Sequence, residues 1–180
     1  MMTTLDVLLI LSLVGFVWFG FWFGMIHMAG GLVGTVAGAF LAGQFYGVLA
    51  APFEALLGST SGWVKILSFL VIFIAINRFV GFGFYLLDRS FAFLTRIPFL
   101  KTIDRLAGAI LGLAEGALVI GLTLYLGSRV ELPAAIESAI TASRMAGSLE
   151  LFAMILVPLL PDALRLLQPY VPGVNLPIPE

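Results

Sequence analysis

The sequence predicts an all-α, polytopic integral membrane fold: four transmembrane helices followed by a C-terminal amphipathic, interfacial helical tail. Three observations predict it. Of 180 residues, 61% are apolar and 11% are charged, against about 25% charged in a typical soluble domain. Mean hydropathy is +1.14. The apolar residues also fall in blocks long enough to cross hydrocarbon, which takes roughly 20 helical residues for about 30 Å.

The elements follow in chain order. The segment from Leu5 to Leu57 carries Asp6, His27 and Glu54 as its only side chains that commonly carry charge, so it holds two spans and a tight turn. The turn falls at Gly20–Gly24 or at Gly30–Gly31, and the aromatics Trp18, Phe19, Phe21, Trp22 and Phe23 favour the first, because such rings settle at headgroup depth. No Lys or Arg precedes this apolar run, so it reads as a retained helix and not as a signal peptide. The spans are then about 5–20, 24–51, 63–87 and 105–126, within a membrane domain over 1–127. Pro52 is expected to end the second span. Ser59 to Gly62 precede the third as a capped start. Residues 90–102 form a linker or short surface helix. The tail covers 128–180: Ser128 to Glu150 reads as one or two polar helices, and Leu149 to Leu160 is too short to span and lies at the interface or on the bundle. From Gln168 onward Pro169, Pro172, Pro177 and Pro179 predict an extended end.

Charge orients the bundle. Arg89, Arg96, Lys101 and Arg105 surround the connection between spans three and four, whereas Lys65 stands alone by the preceding one. The positive-inside rule places the first connection in the cytoplasm and both termini on the other side. Net charge is -1, and no basic stripe exists to hold nucleic acid. The chain has no Cys and one His. That leaves no catalytic set, no metal site and no cofactor motif; the bilayer is the first partner, and enzymatic activity is not expected.

Small residues recur every fourth position in two spans: Gly30, Gly34, Gly38 and Ala42, then Gly108, Gly112 and Gly116. Such ladders let helix backbones approach closely where lipid provides no hydrophobic drive. Two uses stand open: packing within one bundle, or the seam of a homo-oligomer.

Glu115 lies about 15 Å beyond Arg105 along a helix, near the bilayer midplane. A charge there needs a partner or water. Its helical phase sets it beside the glycine groove. Arg78 reaches a similar depth if spans three and four are antiparallel neighbours, which predicts an Arg78–Glu115 ion pair with Asn77 nearby. The pair is read as fixing helix register, with Glu115 protonated, a proton or ion path, and partner docking as alternatives. Asp6 and Asp104 read as caps at helix starts, and His27 as an interfacial polar residue.

The run Thr102-Ile103-Asp104-Arg105-Leu106-Ala107-Gly108-Ala109-Ile110-Leu111-Gly112-Leu113-Ala114-Glu115-Gly116 resembles the colicin V production protein family. Members open their last span with D/N-R-x-x-G-x-x-x-G-x-x-x-G, here Asp104, Arg105, Gly108, Gly112 and Gly116. Leu5-Asp6 leading into an apolar span broken at Gly20 and Gly24 is similar too, so the resemblance covers about residues 5–127. Phe21 to Phe23 stand where members carry basic residues, and Glu115 where many carry one. The resemblance implies a bacterial inner-membrane protein linked to colicin V production or export and to envelope homeostasis. The leading reading is a non-enzymatic accessory protein that acts by helix–helix assembly with itself or with a secretion or envelope membrane protein. The rival class is a small transporter or channel using the Arg78/Glu115 region.

Overall fold

The structure is a computed structural model, describing residues 3–57, 62–91, 98–128 and 132–159. The described residues form six α-helices: α1 (Thr4–Phe23), α2 (Met25–Leu57), α3 (Gly62–Phe91), α4 (Pro98–Gly127), α5 (Ala134–Ala142) and α6 (Arg144–Ala153). A 3-10 turn at Val157–Leu159 follows. The first four are long and apolar enough to cross a membrane. The extended end expected from Gln168 lies outside the described residues.

The first turn is a single residue. Gly24 closes α1 with φ +87 and ψ 177, a region essentially reserved for glycine that costs other L-residues on the order of 1–3 kcal/mol. Its N–H still donates to the Gly20 carbonyl at 2.9 Å, so little polar backbone is left bare at that bend. The second helix does not stop at Pro52, as expected, but runs through it to Leu57. Proline removes one helical N–H, whereas ending the helix there would leave several carbonyls unpartnered. The expected linker over 90–102 is also shorter: α3 reaches Phe91 and α4 starts at Pro98, and proline's fixed φ suits a first helical position.

The packing order differs from the chain order. Helix α4 is central and carries α1, α2 and α6 on its sides, while α3 packs on α2. Spans three and four are therefore not packed neighbours, contrary to expectation. The small-residue ladders explain this. Along α2, an added Cβ at Gly30 would strike the Phe84 side chain, at Gly34 the Asn77 backbone at 3.2 Å, and at Gly38 Phe73 at 3.0 Å. Ala42 is fully buried in the same seam, in a cluster with Phe69 and Phe73. Along α4, Gly108 faces the backbones of Gly20 and Gly24, while Gly112 and Gly116 face Phe16. Both ladders are thus consumed inside one chain, with α2 sealed to α3 and α4 sealed to α1.

The tail packs on the bundle. Ala146, Leu149 and Ala153 lie on one buried face of α6, which rests on α4 where Gly121 admits the Leu149 carbonyl. Leu122, Tyr125, Leu126, Ala153 and Leu156 join Phe69 and Phe73 in the main core.

Candidate functional site

Since the backbones of α3 and α4 both pack on α2 and not on each other, a cleft opens between them beside the core that Phe69 and Phe73 share with Leu122. It encloses about 680 Å³, within the roughly 300–1,000 Å³ of small-molecule sites. Its floor is α2, with His27, Met28 and Gly31; α3 provides Asn77, Arg78 and Tyr85; α4 provides Glu115 and Val119; Phe16 of α1 closes one end.

Each polar group reaches the cleft for a local reason. The Glu115 carboxylate lies against Gly31, where any Cβ would collide with it. Glu115 therefore leaves the α1-facing glycine groove at its edge and turns toward α2. Asn77 donates to the Thr35 hydroxyl of α2 at 3.1 Å, and Thr35 is fully buried. That bond pins α3 to α2 and satisfies an amide that would be costly to leave unpaired in hydrocarbon. His27 stacks on Phe23 with ring centroids 4.8 Å apart, which orients the imidazole at the cleft's α2 end.

Arg78 and Glu115 are both cleft residues, but no ion pair within 4.0 Å joins them. The expected direct pair is corrected to two opposite charges facing one cavity. Its premise, contact between spans three and four, fails because each of those helices is drawn to a different ladder partner.

The residues Asp104, Arg105, Gly108, Gly112 and Gly116 form a second constellation. Asp104 does not cap its own helix, which begins at Pro98. Its carboxylate accepts the Met25 N–H at 2.9 Å and packs on Gly24, so it caps the N-terminus of α2. The Arg105 guanidinium lies over the Phe21 ring, 5.5 Å from its centroid, a cation–π contact. The three glycines then admit α1. The whole segment is a dock for the α1–α2 turn.

Asp6 makes the matching joint at the opposite end of the bundle. With Thr3 it forms the capping box of α1. Its carboxylate also accepts Ser143 Oγ–H at 2.6 Å and the Met145 N–H at 3.1 Å. One buried carboxylate thereby serves the N-termini of α1 and α6, where the helix dipoles favour negative charge.

The sequence reading missed His27, Gly31, Tyr85 and Phe16 as cleft residues and Gly20, Gly24 and Gly121 as packing glycines. Gly20 and Gly24 carry a signal that could have been used: they repeat the four-residue spacing of the ladder they meet. The cleft had no local signal, because four helices contribute to it.

A comparison with protein families matches residues 5–154 to the family described as Colicin V production protein. No curated protein and no solved structure matches the chain. The family match spans all four apolar helices and reaches past α6, taking in the Asp104–Gly116 dock, both ladders and the Asp6 joint, so this multi-pass membrane protein belongs to the colicin V production protein family.

Proposed function

We propose that the protein is a non-enzymatic accessory component of the bacterial inner membrane. It serves toxin production or export, or envelope homeostasis, by helix–helix assembly with a membrane partner. The observation that carries this reading is the cleft between α3 and α4. Both glycine ladders are already sealed within the chain, yet the cleft holds Arg78 and Glu115 with no ionic partner among the described residues. Intramembrane charges are rare and mark functional contacts. The connection between α3 and α4 faces the cytoplasm in this reading, with both termini in the periplasm.

Photo-crosslinking tests it. A photoreactive residue at Phe82, on the cleft, is expected to capture a membrane protein in cells. The same residue at Leu11, on the outer face of α1, 66% exposed, is expected to capture none. Equal capture from both positions sinks the assembly reading.

The cleft volume supports a second reading, a small transporter or channel. In proteoliposomes Glu115→Gln would then abolish a flux that the folded wild-type protein supports; a flux unchanged by the substitution removes this reading.

A further inference from the structure

We propose that a second copy of this chain closes the α3–α4 cleft, the two copies being related by a two-fold axis along the membrane normal, so that Arg78 of each copy pairs with the partner subunit's Glu115. The inference rests on the assembly reading above and names its partner and its seam.

The argument starts from charge. Arg78 is exposed on α3, and its position lies about 13.5 Å from the Leu87 end of its span at 1.5 Å per residue. A guanidinium at that depth needs a carboxylate or water. Glu115 faces the same cavity from α4, and its carboxylate lies against Gly31, about one turn of α2 from Gly34 where Asn77 packs, so the two charges lie at similar depth in the bilayer. Lipid tails filling the cleft would neutralise neither.

The cleft has one cationic wall and one anionic wall, which makes it self-complementary. Copies of a membrane protein share one orientation, so a two-fold relating them must run along the membrane normal, and such an axis preserves depth. It brings α3 of each copy opposite α4 of the other, and the two charges then meet twice at matched depth. A cleft lined by a single sign would repel its own copy instead.

Helix α3 is also the element with surface to offer. Its packing is against α2, and Ile74, Phe79 and Phe82 remain exposed at 55%, 81% and 59%. Two of these, Ile74 and Phe82, line the cleft itself. The glycine ladders cannot supply this seam, since α1 and α3 already occupy them.

The test uses charge exchange between copies. The chain has no cysteine, so Ile74→Cys on one epitope-tagged copy and Val119→Cys on a differently tagged copy, both cleft positions, give a clean cross-linking pair across the α3–α4 seam. With native charges, co-expressing the two cysteine copies is expected to give a disulfide-linked adduct bearing both tags in membranes. Arg78→Glu places two carboxylates in each pair, and Glu115→Arg places two guanidiniums, so each alone should lower the adduct about tenfold or more. Co-expressing the two variants rebuilds both pairs, and adduct bearing both tags should return to near the native level.

Three outcomes overturn the proposal. The two cysteine copies with native charges give no adduct bearing both tags. Both single variants cross-link as well as the native pair. Co-expression fails to restore adduct, whether or not the double variant Arg78→Glu/Glu115→Arg restores it alone; restoration in the double variant alone means the charges meet within one chain. Capture of a different membrane protein at residue 74 in place of self-adduct removes the dimer and leaves the assembly reading standing, while capture of neither removes both.

Discussion

Asp104 accepts a hydrogen bond from the Met25 N–H, 79 residues away in sequence. From the sequence it reads as the cap of the helix it belongs to, because capping residues usually act within three positions. The motif was therefore visible and its role was not. Asp104→Ala should destabilise the protein by about 1 kcal/mol, the worth of a helix cap, and lower its Tm in detergent by about 2–4 °C. Asp104→Asn keeps an acceptor oxygen and should retain most of that stability. Gly24→Ala should do worse than Asp104→Ala, since it forces an L-residue into φ +87 and drives a methyl into the Asp104 carboxylate. A Gly24→Ala protein melting with the wild type would disprove the single-residue turn.

At the scale of elements, the ladders were legible as close-approach surfaces but not as to what they approach. Small residues announce that something comes near; only the partner's side chains decide what. Phe16 and Gly20 on α1 fit the α4 ladder, and Phe73, Asn77 and Phe84 on α3 fit the α2 ladder. Two glycines give a controlled contrast. Gly112→Leu should sharply reduce the yield of folded protein, because it meets the Phe16 backbone; Gly15→Leu, with open space around it, should be tolerated. Equal yields would contradict the α1–α4 seam. The α6 joint is testable in the same way. Removing the Asp6 carboxylate strips Ser143 and Met145 of their acceptor, so Asp6→Ala should speed maleimide labelling of a cysteine placed at Leu149, which is 4% exposed in the native fold. Unchanged labelling would mean that packing alone holds α6.

The whole molecule is an up-and-down set of four spans whose two ends are stitched by different carboxylates. Asp104 works at the end holding Gly24, and Asp6 at the end holding α6. The basic residues by the α3–α4 connection predict that the Asp104 end is cytoplasmic. A cysteine at Lys101 should then react with an impermeant reagent only after the inner membrane is opened. One at Ser148, exposed on α6, should react once the reagent reaches the periplasm. The reverse pattern would invert the topology.

The sequence by itself determined the membrane, the four spans and the segment that marks the family, and narrowed the first turn to two glycine segments, because hydropathy, helix period and backbone freedom are local properties of the chain. Tertiary structure alone decided which helices pair. Two ladders and two complementary faces admit several pairings, and the fit of Phe16 into one groove and of Phe73 and Phe84 into the other selects among them. That selection parts α3 from α4, and with it turns an expected ion pair into an open cleft whose two charges have no ionic partner among the described residues.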